Sequence, residues 1–312
     1  MPTSIRLIAL AAIAFGLALA PATAEPLKVV ASFSIIGDFA SKVGGDRIAL
    51  TTLVGPDGDA HVYEPKPADA ASMATADVVL VNGLHFEGFL ARLVASSATK
   101  ANVVELTKGV TPIRIDPHFA EEDHDGEGHA SDDHHGDIDP HAFQSIANAR
   151  IYVRNIVEAF CAADAADCDF YRNNGAAYVA RLDQVEKKVK DAVAAIPSQK
   201  RTLITSHDAF GYFEHEYGLT FLAPEGMSTE AEPSAADVAT LIRQIRQDKA
   251  AAVFVENITN ARLIEQIGRE TGLHVGGTLY SDALSPADGP APTYIDMMRH
   301  NIATIKGAIL GS

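Results

Sequence analysis

Apolar runs of strand length alternate along this chain with stretches of helical periodicity. LKVVASFS (27–34), RIALTTLVG (47–55), ADVVLVNG (76–83) and ANVVEL (101–106) are rich in Val, Ile and Leu and lack strict alternation with polar residues. Unbroken apolar runs of this length are what strands buried on both faces of a parallel sheet require. The rhythm returns after residue 200 with RTLITSH (201–207), LTFLAPE (219–225), AAVFVEN (251–257) and HVGGTLYS (274–281), separated by helical patterns such as PSAADVATLIRQIRQDK (233–249). Both halves therefore predict α/β structure. Between them, DFYRNNGAAYVARLDQVEKKVKDAVAAI (169–196) holds helical spacing without proline, which predicts a single helix of about 40 Å able to span two lobes. A strut of that kind limits opening and closing. Gly175 is its weak point, since glycine costs about 1 kcal/mol inside a helix.

The ends of the chain add a compartment. Residues 1–24 have the pattern of a secretory signal, with Arg6, an apolar run from Leu7 to Ala20, and Ala22-Thr23-Ala24 as the cleavage site. The remainder divides into an N-terminal lobe (25–166), a linker helix (167–196) and a C-terminal lobe (197–312). No later run approaches the roughly 20 apolar residues that cross a bilayer. No cysteine follows the cleavage site to carry a lipid. The expectation is a periplasmic, non-lipidated monomer. An oxidising compartment would let Cys161 and Cys168 close a small structural loop as a disulfide, with a weak two-sulfur metal site as the alternative. Asp and Glu number 41 against 25 Lys and Arg, a formal charge of −16. A phosphate backbone needs a concentrated basic surface, so nucleic acid is excluded as a partner and cations are favoured.

The acidity is concentrated in DPHFAEEDHDGEGHASDDHHGD (116–137), which holds His118, His124, His129, His134 and His135 among nine carboxylates in 22 residues. With so few large apolar side chains it cannot offset the entropy of ordering its backbone, and it predicts a flexible loop that offers imidazoles and carboxylates to a divalent cation. A solvated insertion is the plainer alternative. The tract ends just before Asp139-Pro140-His141 and a helical pattern, which is where a loop feeding metal to an ordered histidine belongs.

Four polar residues fall where predicted strands give way to loops: His61 in GDAHVYEPKP, His141 in DPHAF, His207 in LITSHDAFGYF and Asp282 in TLYSDALS. Carboxyl ends of strands line the ligand crevice of doubly wound sheets, so two facing lobes can bring all four together. Taken singly, each histidine has an ordinary reading as a hydrogen-bonding group, and Asp282 as a cap.

GDAHVYEPKPADAASMATADVVLVNGLHFEGFL, DPHAFQSIANARIYVRNIVEAF, TSHDAFGYFEHEYGL and GTLYSDALS together resemble the zinc and manganese substrate-binding proteins of bacterial ABC transporters, the cluster A-I (cluster 9) family. The resemblance spans essentially the whole mature chain and is nearest to the zinc-specific AztC type. It implies two Rossmann-like lobes joined by a rigid helix, a metal buried between them, and His61, His141, His207 and Asp282 as its ligands. It further implies delivery to a cognate permease and ATPase in the inner membrane, and allows for a periplasmic zinc metallochaperone that loads the site. His85 in NGLHFEG departs from the family pattern, either as a surface residue at a helix start or as an auxiliary ligand.

Three imidazoles and one carboxylate suit Zn(II), whereas Mn(II) prefers more oxygen donors. Manganese or dual-metal specificity is the alternative. Glu64, Asp208 and Glu256 are candidates to orient the imidazoles from behind, with an N-cap the equal alternative for Asp208. An enzyme is not expected: a four-donor shell leaves no position for an activated water, and neither HExxH nor G-x-S-x-G occurs. A zinc buffer or adhesin working without a transporter is the remaining rival.

Overall fold

The protein is represented by a computed structural model that describes residues 25–114 and 138–311. The expected signal (1–24) and the histidine tract (116–137) lie outside these residues.

All eight apolar runs form strands. The first sheet contains β1 (Leu27–Phe33), β2 (Ile48–Val54), β3 (Val78–Val81) and β4 (Asn102–Glu105), in the order β2-β1-β3-β4 with every pairing parallel. The second contains β5 (Thr202–Ile204), β6 (Thr220–Leu222), β7 (Ala252–Glu256) and β8 (Val275–Leu279), in the equivalent order β6-β5-β7-β8, again parallel. In each sheet the chain leaves its first strand toward one edge and returns to the other side, so a crevice opens beyond the strand carboxyl ends at that reversal.

The helices that follow these strands are α1 (Ser34–Gly44), α2 (Pro67–Thr75) and α3 (Leu90–Ser97) around the first sheet, and α6 (Gly211–Tyr217), α7 (Ala235–Asp248), α8 (Ala261–Thr271) and α9 (Tyr294–Leu310) around the second; α4 (Ile146–Ala163) and α5 (Cys168–Ala194) lie between. The 233–249 pattern becomes α7, started by a capping box in which the Ser234 hydroxyl takes the Asp237 amide while the Asp237 carboxylate takes the Ser234 amide. Strands are shorter than the runs that encode them where the chain turns into the interlobe crevice. In RTLITSH the strand itself covers 202–204, and the buried residues Thr205, Ser206 and His207 run on past it, His207 in an isolated parallel bridge with Glu225.

The long helix is α5, 27 residues in length, corresponding to about 40 Å. Its glycine has a packing reason: a Cβ on Gly175 would stand 2.6 Å from Cγ2 of Val157 on α4, so glycine lets the two helices approach closely. The Cys161–Cys168 disulfide joins the last turn of α4 to the start of α5. Contacts from α5 reach α1 and α4 on one side and α6 and α9 on the other, and one apolar core runs without interruption from Leu27 in β1 to Ile309 in α9. Backbone bonds stitch the same seam: the Asp57 amide donates to the Leu284 carbonyl at 2.9 Å, and the Leu284 amide to Ser34 Oγ at 2.9 Å. A wide hinge motion would expose that core to water.

Candidate metal centre

Each of the four expected residues arrives from a loop at the carboxyl end of its sheet. His61 lies between β2 and α2, and His141 immediately before a short 3-10 turn (Ala142–Gln144) leading into α4. His207 lies between β5 and α6, and Asp282 follows β8. The structure brings one donor atom of each within 4.8 Å of the others. Asp282 Oδ2 is 3.1 Å from His61 Nε2, 3.1 Å from His207 Nε2 and 3.6 Å from His141 Nε2, and the Nε2 atoms of His61 and His141 are 3.4 Å apart. His141, His207 and Asp282 are fully buried, whereas His61 retains 7 % exposure and marks the side open to solvent. Phe86 walls the site, its ring centroid 4.8 Å from that of His61 and 5.6 Å from that of His141.

Two of the imidazoles are oriented from behind by carboxylates. Asp139 Oδ1 accepts the His141 amide at 2.8 Å and lies 2.8 Å from its Nδ1. Glu256, the last residue of β7, accepts the amides of Ser206 and His207 on Oε1 at 2.7 and 2.9 Å, and its Oε2 is 2.7 Å from His207 Nδ1. At His141 a proton held on Nδ1 by Asp139 leaves the Nε2 lone pair facing the centre, the tautomer a ligand needs, while Glu256 stands at ion-pair distance behind His207 Nδ1.

Local sequence builds two of these corners alike. Asp59-Ala60-His61 and Asp139-Pro140-His141 each carry an aspartate whose Oδ1 accepts the amide two residues on, at 2.9 and 2.8 Å. Asp59 Oδ2 also accepts the Thr229 hydroxyl at 2.6 Å, a bond from the opposite lobe.

The charges of the site compensate one another. Burial alone would push His141 down, but the charge of Asp282 and the bond to Asp139 outweigh it and hold its pKa at about 9. His207 is likewise held well above the usual imidazole range, against burial, by Glu256 and Asp282. Burial would raise Asp282, yet His141 and His207 hold it well below the usual carboxylate range. A divalent cation would replace protons here, an exchange that suits capture and release.

Of the residues expected to orient the imidazoles, Glu256 does so. Glu64 is exposed three positions past His61. Asp208, mostly buried and pushed up by that burial, is not the N-cap of α6, a position taken by Phe210. The contact made by Asp139 was missed, although the aspartate two residues before a candidate histidine was visible in the sequence. His85 sits on an exposed turn at φ 62°, ahead of α3 and outside the four-residue cluster.

Comparison with known proteins agrees with this architecture. Residues 29–308 match the family profile described as "Zinc-uptake complex component A periplasmic". The iron-binding protein YfeA of Yersinia pestis is 32% identical over 91% of this chain and 86% of its own length. The manganese-binding lipoprotein MntA of Halalkalibacterium halodurans is 31% identical over 91% of this chain and 89% of its own. Among solved structures, the periplasmic zinc-binding protein TroA of Treponema pallidum superposes with a TM-score of 0.81 at 27% identity, covering 91% of this chain and 99% of that one. One expectation is overturned. MntA and several streptococcal and Bacillus relatives are named lipoproteins, so the reading of a non-lipidated product is withdrawn. That reading rested on a missing cysteine, a negative observation weaker than the named anchors of the relatives.

Proposed function

This chain belongs to the family of periplasmic component A proteins of zinc-uptake complexes, and on that premise we propose that it captures Zn(II) between its lobes, with His61, His141, His207 and Asp282 as ligands, for delivery to a membrane importer. Proteins of this family are metal-binding subunits of ABC transporters and work with a permease and an ATPase. The observation that carries the zinc reading is the donor set: three imidazole nitrogens and one carboxylate oxygen within 4.8 Å, almost wholly shielded from water. Nitrogen-rich sets of four suit Zn(II), while Mn(II) favours more oxygen. Four protein donors also leave no open position for an activated water, in keeping with binding rather than hydrolysis.

Two further roles complete the proposal. The acidic histidine tract (116–137) gathers cation near His141 and hands it inward, and a periplasmic zinc metallochaperone is its natural donor. Manganese is the second reading, favoured by the name of the Halalkalibacterium relative. The deciding experiment is metal analysis of protein isolated from periplasm with zinc and manganese supplied together, followed by chelator competition on the wild type and His207→Ala. Zinc at one equivalent, lost in the variant, supports the proposal. Manganese in preference, or zinc retained by the variant, overturns it.

A further inference from the structure

The segment Asp139-Pro140-His141 is gripped on two sides, once from each lobe. From the first lobe comes Asn82, fully buried at the carboxyl end of β3. Its Nδ2 donates to the Pro140 carbonyl at 2.8 Å and to the Gly83 carbonyl at 3.0 Å, and its Oδ1 accepts from Tyr152 OH at 2.5 Å. Its own backbone is anchored as well, the amide on Glu87 Oε1 at 2.6 Å and the carbonyl on Thr107 Oγ1 at 2.7 Å. Every polar group of Asn82 is therefore used, and its side chain cannot release Pro140 without leaving another partner bare. From the second lobe comes Gly211, the first residue of α6. A Cβ there would stand 2.5 Å from Asp139 Oδ2, closer than side chains are packed. Asp139 cannot yield, because its other oxygen holds both the amide and Nδ1 of His141.

We propose that Asn82 and Gly211 are positioning residues for the metal, one from each lobe, which together fix Asp139-Pro140-His141 so that His141 Nε2 faces the cation. The inference rests on the reading of His141 as a ligand. It goes beyond it in naming what holds that ligand still where the chain re-enters the fold from the acidic tract. Asn82 sets the backbone by its bond to Pro140. Gly211 acts by omission: the space where its Cβ would sit is the space the Asp139 carboxylate needs. A structural role alone would tie both residues to stability and leave the electronic surroundings of a bound metal untouched.

The test uses the full chain and two probes, Zn(II) by chelator competition and Co(II) by its ligand-field absorption. Asn82→Ala and Gly211→Ala are each expected to weaken Zn(II) binding by about 10- to 100-fold, as loss of a partner behind a ligand does, and to shift the Co(II) bands. Gly211→Ala acts through Asp139, so in an Asp139→Ala background it should cost nothing further. Wild-type affinity in both single variants, an unaltered Co(II) spectrum, or a Gly211→Ala loss that persists without Asp139 overturns the inference. If Asn82→Ala does not fold, Asn82→Asp keeps the acceptor for Tyr152 while removing the donor to Pro140, and the same outcomes apply. A wild-type protein that holds no Zn(II) refutes the reading beneath it instead, so the two failures are distinct.

Discussion

Replacing Glu256 with Gln tests the central argument, that the affinity of this site is set as much by what stands behind the imidazoles as by the imidazoles themselves. The carboxylate is 1 % exposed and engages three groups: the amides of Ser206 and His207 through Oε1, and His207 Nδ1 through Oε2 at 2.7 Å. Glutamine matches its volume but brings an NH2 group. Whichever way the amide turns, a donor faces either the two backbone amides or a protonated Nδ1. Two opposing effects follow. The ligand loses basicity and orientation, which at such a partner amounts to about 10- to 100-fold in affinity, or roughly 1.4 to 2.7 kcal/mol. Glu256 also helps hold the competing proton on His207, whose pKa it raises, so its removal makes that proton easier to displace. The second effect offsets the first only while His207 is protonated in the metal-free protein. The ratio of wild-type to variant affinity should accordingly grow with pH and reach its full value in alkaline solution. Zn(II) affinity measured by chelator competition at intervals from pH 6 to pH 10 reads this directly. Equal affinities throughout, or a ratio that shrinks as pH rises, would refute the reasoning.

Three other outcomes are expected. In metal-free protein His141 is held at about 9 against an ordinary value of 6.5, so its interactions contribute about 3 kcal/mol at most below pH 6.5, and this contribution is lost as pH rises through 9; thermal unfolding in the presence of a chelator should show a midpoint falling across that window, and a flat profile counts against it. Deleting residues 118–135 should slow acquisition of zinc from a chelator or donor protein while leaving equilibrium affinity nearly intact, so unchanged stopped-flow kinetics would remove the feeder role. Gly175→Ala should destabilise the fold despite a gain of about 1 kcal/mol in helix propensity, because the added methyl meets Val157 at 2.6 Å and overpacking of that kind costs about 1 to 3 kcal/mol; a raised denaturation midpoint would refute the close-packing account.

Strands, helices and lobes were legible because their determinants are local or nearly so. Unbroken Val, Ile and Leu runs suit parallel strands, and β1, β3 and β7 are buried on both faces as expected, whereas β2, β4 and β8 keep partly or fully exposed positions; the 169–196 pattern maps onto α5 with its ends shifted by one or two residues. The four residues that the structure brings together stood at the ends of predicted strands, and the family resemblance added their reading as ligands. Glu256 was reachable as a carboxylate at the end of a predicted strand, and Asp139 was within reach, since an aspartate two residues before a histidine makes the same turn at His61. Gly175 read as a liability until the fold set Val157 against it.

What the sequence by itself determined, then, was the alternation of elements, the supply of donors and the turns that aim His61 and His141, all consequences of short-range pattern and backbone chemistry. Only the tertiary structure decided that Asp282 stands against His61 across 221 positions of chain, that Gln144 reaches the Ser281 carbonyl at 2.5 Å, and that Gly211 must lack a side chain for Asp139 to keep its place. Such relations depend on how one lobe packs against the other, and no local window of sequence carries that distance.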